Sequence, residues 1–394
     1  MLNLSDLNLT DFWKVRQVLS DETNMKKITL AFVCLICGVS CMTSPTLKNA
    51  SGGSNNMAFD SVRFVHEFPI RYQVSEGTEA NTGLIGLRDF TIHDSLLIVM
   101  TTNPDGYWAF LSMPDFKVLG RFLRKGNGPN EFLMPPYVSH ATIYKEHDRL
   151  YMIILNQIKR CLLRMDIDSS IDAKKLTIEP LNDSLPRSLF GFAYINDTTY
   201  FCRTITNDET QQIRFFLENN KKRIPAYLER LNNARVQRGA DFNYLSSIIK
   251  YNLKEQMVVD ISSTLNHINL YSFDGSKTRT ICVGKKLDNI DELQVLPKWK
   301  MPYSYMNLRV YPHFFGALFL GETKKTFQTK RVHMPKIQLF DWNGNPLAEI
   351  LLDRQATSFD IDFVNGNLYI LDGQTEEFYR YDIGNLLALI DHEH

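Results

Sequence analysis

The chain lacks the motifs that would assign it a reaction. There is no HExxH, no GxSxG and no GxGxxG opening a helix, so metalloprotease, nucleophile-elbow and dinucleotide-binding readings have nothing to rest on. The nine histidines, at 66, 93, 140, 147, 267, 313, 333, 392 and 394, form no ligand pair at helical spacing. Neither sign of charge is in excess. The 44 Lys+Arg balance 44 Asp+Glu, which argues against nucleic acid or another polyanion as partner. Cysteine is scarce: beyond Cys41 only Cys161, Cys202 and Cys282 remain, with no CxxC among them. Three widely spaced thiols inside apolar runs read as small buried hydrophobes. They do not make a disulfide framework, a zinc ribbon or a thioredoxin site. No cofactor is implied. What is present is a globular composition, 44% hydrophobic and 22% charged, with 12% aromatics. That excludes disorder over most of the chain and leans toward β structure.

The N-terminal region carries an address. Residues 1–24 are polar and hold no export signal. Met25-Lys26-Lys27 then leads into an apolar run from Ile28 to Val39, followed by Ser40-Cys41. Two lysines, about a dozen apolar residues and a small residue before a cysteine have the form of a secretory signal. The run is short of the ~20 residues of a membrane span; a buried core helix is the alternative. Residues 1–24 are accordingly read as an over-extended start, 25–41 as a signal peptide, and 42–59, with Ser51-Gly52-Gly53-Ser54, as a flexible tether. Gly38-Val39-Ser40-Cys41 resembles a bacterial lipobox, although Gly38 stands where Leu is usual; Cys37, after the bulky Ile36, is a weaker rival. This expects lipidation at Cys41, with simple secretion as the alternative. No acidic pair follows Cys41, so the expected location is the cell envelope, at the outer membrane and facing the periplasm.

From residue 85 onward, short apolar strands alternate with polar turns. Leu96–Met100, Leu150–Ile154, Thr199–Cys202, Gln256–Val259, Ala317–Leu320 and Asn367–Leu371 each follow a turn or charged residue, at spacings of 49 to 61 residues. Six units of ~50 residues, each with four strands, spell a six-bladed β-propeller over residues 60–390, an all-β domain. The last unit shows only three strands, at Phe359–Phe363, Asn367–Leu371 and Glu377–Tyr381. A spare strand at Val62–Phe68 is expected to pair with it and close the ring. Residues 224–237, with Pro225 near the start and Gly239 past the end, read as an inserted helix capping a gap between blades, or a partner-binding arm. Ile383–Leu387 reads as a short tail.

One stretch stands out: Lys125-Gly126-Asn127-Gly128-Pro129-Asn130-Glu131-Phe132. Gly126, Gly128, Pro129, Glu131 and Phe132 resemble the Gly-x-Gly-Pro-x-Glu-Phe signature of TolB-like six-bladed propeller lipoproteins of Gram-negative bacteria. Asn127 and Asn130 stand where that family often has Arg and Gly. The resemblance implies a blade-to-blade crossover, with Phe132 packed between blades and Glu131 hydrogen-bonding the turn. A phosphate loop is disfavoured, because Pro129 removes a donor, Lys125 precedes the glycines and no helix follows.

Asp166–Asp172 has the outline of a calcium loop but lacks its Gly and closing Glu; a solvated turn is expected, and no metal site is assigned. Lys324-Lys325 and Lys330-Arg331 read as solvent-facing charge on a loop. Polar residues on the innermost strands are the candidate channel lining: Arg88, Asp89, His140, Lys250, Arg309, Asp360 and Asp362. They either satisfy one another and water or form a polar mouth for a ligand. No catalytic residue is assigned. The expected function is a monomeric, non-enzymatic lipoprotein scaffold that binds a protein or peptide at the envelope. The alternative is a metal-dependent hydrolase or lactonase with its site in the central channel, which would need several Asp, Glu or Asn ligands converging there.

Overall fold

Leu96–Thr101 and Met257–Ser262 are buried at every position. A strand apolar on both faces belongs inside a stack of sheets. The computed structural model, which describes residues 55–392, shows that stack as six antiparallel blades. The expected start, signal peptide and lipidated Cys41 lie outside the described residues.

Three short strands come first: β1 (Val62–Val65), β2 (Ile70–Gln73) and β3 (Thr78–Glu79). Blade 1 is β4 (Leu87–His93), β5 (Leu96–Thr101), β6 (Trp108–Ser112) and β7 (Val118–Phe122). Blade 2 is β8 (Thr142–Glu146), β9 (Arg149–Asn156), β10 (Cys161–Asp166) and β11 (Ile178–Asn182). Blade 3 is β12 (Leu189–Asn196), β13 (Thr199–Ile205), β14 (Gln212–Glu218) and β15 (Lys221–Arg223). Blade 4 is β16 (Ser247–Asn252), β17 (Met257–Ser262), β18 (His267–Ser272) and β19 (Thr278–Val283). Blade 5 is β20 (Pro302–Val310), β21 (Phe314–Thr323), β22 (Lys336–Asp341) and β23 (Pro346–Leu351). Blade 6 holds β24 (Ser358–Asp362), β25 (Asn367–Asp372) and β26 (Glu377–Asp382). The six apolar segments singled out by spacing are the second strands of the six blades.

Strand periodicity explains how one strand serves two interfaces. Side chains alternate between faces. In β5, Leu96, Ile98 and Met100 face blade 2, while Leu97 and Val99 face blade 6. The buried apolar residues form six clusters, one for each pair of neighbouring blades.

Ring closure differs from expectation. The strand expected at Val62–Phe68 forms as β1, but it pairs in parallel with β19 of blade 4, Val65 opposite Val283. β2 then pairs in parallel with β23 of blade 5. Only β3 reaches blade 6, antiparallel to β26, with Tyr379 opposite Glu79. The N-terminal segment thus runs along the outer edges of three blades in turn. The four-residue β1 spans a single blade edge, so the missing fourth strand of blade 6 falls to β3 further along the chain. Residues assigned by composition to the tether also belong to the domain: Met57, Ala58 and Phe59 are buried, and the Met57 carbonyl accepts from Asn269 at 3.0 Å.

The inserted helix spans Ala226–Asn232, shorter than expected, with Pro225 just before it. Leu228 and Leu231 are fully buried between blades 3 and 4, so it caps that gap. The expected C-terminal tail is a helix, Gly384–His392, whose Leu386 and Ile390 join the cluster between blades 5 and 6. Asp166–Asp172 is no solvated turn either. Asp166 caps a helix, Ile167–Ala173, by accepting from the Ser169 N–H at 2.9 Å. The basic segment expected on a loop contains the helix Lys324–Thr329, and Arg331 pairs with buried Asp372 instead of facing solvent. Among the described residues no helix is long and apolar enough to cross a membrane. Cys202 and Cys282 are buried free thiols, pushed up to about 12 and about 11 by burial, and Cys161 is half-buried.

Candidate functional site in the central channel

The first strand of each blade faces the axis, and five of the seven candidate residues meet there, His140 from the turn Val138–His140 ahead of β8 and not from a strand as expected. Arg309 on β20 is buried. Its Nε donates to the Phe359 carbonyl on β24 at 2.6 Å, and its Nη2 to the Phe90 carbonyl on β4. One guanidinium therefore joins blades 5, 6 and 1. Asp360 Oδ2 accepts from the Ile92 N–H at 2.9 Å and the Thr91 hydroxyl at 3.0 Å, and lies 3.4 Å from Arg309 Nε. Its Oδ1 accepts from the Tyr311 hydroxyl at 3.0 Å. Asp89 Oδ2 accepts from the Ser139 N–H at 2.8 Å, tying blade 1 to the approach to blade 2. Burial pushes the Asp89 carboxyl up, against the pull of Arg309 and Ser139.

Lys250 on β16 reaches across the axis, donating to the Ala141 carbonyl at 3.2 Å. Burial and then the Arg309 charge lower its pKa to about 7, while Asp89 and Asp360 pull the other way. His140 follows the same logic. It touches solvent but is ringed by protein, so burial first, then Lys250, Arg309 and Arg203, lower it to about 3. Proximity of like charge and loss of water both disfavour a cation. Near neutral pH the lumen therefore presents a neutral imidazole beside an ammonium that readily gives up its proton.

The other two candidates lie elsewhere. Arg88 turns sideways to the Gly373 carbonyl at 2.9 Å and Glu376 Oε1 at 3.2 Å, on the β25–β26 turn. Asp362 is buried, and its carboxylate accepts from Asn365 N–H and Nδ2 at 3.1 and 2.8 Å, shaping the β24–β25 turn. Asp89 and Asp360 are each bound to protein donors. Among the described residues no group of three or more His, Cys, Asp and Glu side chains is placed to hold a metal.

The sequence reading overlooked a second charged cluster behind the lumen. Arg214 Nε and Asp260 Oδ2 are 2.5 Å apart with both side chains fully buried. Arg203, also buried, donates to the Ser247 hydroxyl and to the Phe190 carbonyl at 3.2 Å. A charged residue inside an otherwise apolar second or third strand, as Asp260 is within Met257–Ser262, was the available signal.

The glycine-rich crossover is built as its residue types imply. Glu131 Oε2 accepts from the Gly128 N–H at 2.8 Å. Phe132 is buried against Leu163 and Met165 of blade 2. Lys159 Nζ crosses from blade 2 to the Glu131 carbonyl at 2.9 Å. Here the glycines supply room, not left-handed backbone: neither has a positive φ among the described residues.

A family model for TolB-like six-bladed propellers matches residues 89–363. The chain belongs to that family. No curated protein matches it. Solved structures align with most of the chain at low identity. A member of the DUF4221 family from Bacteroides vulgatus is 11% identical, covering 83% of this chain and 98% of its own, with a TM-score of 0.48. A luciferin-regenerating enzyme is 11% identical, covering 78% and 94%, at 0.42. U3-55K is 8% identical, covering 75% and 95%, at 0.39.

Proposed function

We propose that this TolB-like propeller is an envelope-anchored lipoprotein that binds a protein or peptide and performs no chemistry of its own. The observation that carries this reading is the mutual satisfaction of the channel charges. Arg309 is spent on two backbone carbonyls, Asp89 on a backbone N–H, and Asp360 on four donors, including its own neighbour Ile361. Carboxylates bound in this way stiffen the ring and are poorly placed to act as metal ligands or as an acid–base pair. His140 and Lys250 remain turned to the lumen, and an imidazole beside an ammonium suits a carboxylate or carbonyl of a peptide end. Family membership points to the envelope, and the lipobox-like Cys41 supplies the anchor. Acylation of Cys41 with several chains would hold the protein at a bilayer far more firmly than one chain.

The test has two arms. Affinity capture from envelope extract, read by mass spectrometry, should return a stoichiometric partner that His140→Ala/Lys250→Ala loses. Metal analysis and a lactone and ester panel on the same protein should be blank. Stoichiometric metal with turnover on any panel member would replace the scaffold reading with the hydrolase one. For the anchor, Cys41→Ala should release the propeller from membranes washed at high salt, with an unchanged thermal midpoint. A mutant that stays membrane-bound at high salt contradicts lipidation.

A further inference from the structure

Blade 5 and the connection leading into it carry a surface unlike the rest of the molecule. Val295 is 69% exposed, Trp299 57%, Val332 58% and Met334 46%. They sit on two connecting segments, 284–300 and 324–334, the second opening with the helix Lys324–Thr329; the Lys324 N–H ties them by donating to the Met301 carbonyl at 2.8 Å. A cleft of about 320 Å³ opens beside the second of them, walled by Tyr303, Glu322, Thr326 and His333. The two segments hold eight Lys and Arg against three Asp and Glu, in a chain whose overall charge is zero. Lys298 is paired with Asp241 and Arg331 with Asp372. Lys300, Lys325 and Lys330 are exposed.

We propose that this face rests on an anionic lipid bilayer, with Trp299, Val295, Val332 and Met334 in the interfacial layer and the lysines on the headgroups. An exposed tryptophan among aliphatic side chains and rimmed by lysine is the composition of an interfacial contact. The position of the chain's entry supports it independently. Asn55 Nδ2 donates to the Arg235 carbonyl at 2.8 Å and to Asp291 Oδ1 at 3.1 Å, so the propeller is entered at the loop that carries Val295 and Trp299. The chain that precedes Asn55 therefore leaves the propeller beside Val295 and Trp299. The lipid-contact chemistry stands without the anchor.

The experiment uses the unacylated chain from Met42 onward, mixed with phosphatidylcholine vesicles with or without phosphatidylglycerol. Flotation should require phosphatidylglycerol and weaken with salt. Val295→Ser/Trp299→Ser and, separately, Lys300→Glu/Lys325→Glu/Lys330→Glu should each lower partition roughly tenfold, with unchanged thermal midpoints because every position is exposed. Trp299 emission, isolated by subtracting Trp299→Phe, should shift to the blue and be quenched by brominated lipid; this readout needs no destabilising variant. Silent Trp299 emission with both variants floating like the parent overturns the proposal. So does a Trp299 variant that loses a protein partner while binding vesicles normally, which would make the face a protein interface. If the acylated chain floats while Trp299 stays silent, the anchor stands and this face falls. If Trp299 responds but Cys41→Ala leaves the chain membrane-bound at high salt, the reverse holds.

Discussion

The Glu131 carboxylate occupies the space into which a side chain on Gly126 would project: a Cβ there would lie 2.5 Å from the Glu131 carboxyl carbon. The same carboxylate accepts the Gly128 N–H at 2.8 Å, so it cannot swing away without losing a bond that fixes the crossover. Gly126→Ala should destabilise the fold by ~1–3 kcal/mol. Adding Glu131→Ala to that variant should cost less than Glu131→Ala costs alone, because the clash has gone. Thermal or denaturant midpoints of the four-variant cycle measure the coupling, and strict additivity would contradict the contact.

Closure by β3 is narrow, and Gly77 guards it. A Cβ at Gly77 would meet the Tyr381 ring at 2.6 Å. That ring is fixed by its hydroxyl, which accepts from Arg354 Nε at 2.8 Å. Gly77→Val should push β3 off β26 and cost ~1–3 kcal/mol. Hydrogen exchange should show lost protection of the Ala80 N–H, which donates to the Phe378 carbonyl at 2.8 Å. Unchanged protection would place the closing contact elsewhere.

Asp260 holds a buried cation in check. Burial pushes its carboxyl up, but Arg214 and Arg203 outweigh burial and its pKa is lowered. Asp260→Ala should cost ~3–5 kcal/mol, since it strands Arg214 without a counter-charge. Asp260→Ala/Arg214→Met should be less damaging than Asp260→Ala alone. A lowered carboxylate pKa gives stability that is present above its ordinary value of 3.8 and lost as the pH falls below it. The wild type should show that loss in acid, and the double variant should not.

His267 gives the acid limb at higher pH. It is fully buried, and burial lowers its pKa from 6.5 to about 4, against the Met57 carbonyl and Asp260, which raise it. The unfolded chain takes up a proton near 6.5 and the folded chain does not until about 4. Stability is therefore whole above 6.5 and falls between 6.5 and 4, by about 3 kcal/mol in all. His267→Gln, which keeps a donor toward the Met57 carbonyl, should flatten midpoint against pH across that window. An unchanged slope would assign the acid loss to other groups.

Much of the architecture was legible in the residues. Leu96–Thr101 and its five counterparts recur because each blade needs one strand buried on both faces, and burial on both faces shows as an unbroken apolar run. Gly126, Gly128, Glu131 and Phe132 were legible for a similar reason: the turn is local, and the contacts of Glu131 with Gly126 and Gly128 lie within seven residues. What the sequence could not decide is which distant segments meet. Val62–Val65 has the composition of a ring-closing strand, yet it pairs with blade 4, because parallel pairing to β19 depends on where the chain enters and not on the strand's own residues. Arg88 and Asp89 are neighbours in sequence, but strand alternation sends one to Glu376 and the other into the channel. Arg309 has no sequence feature that names Phe90 and Phe359 as its acceptors; only the closed ring brings their carbonyls within reach of one guanidinium. Local hydrophobic pattern is set by burial and survives in the linear order, whereas the partners of a buried charge are set by the register of strands more than two hundred residues apart.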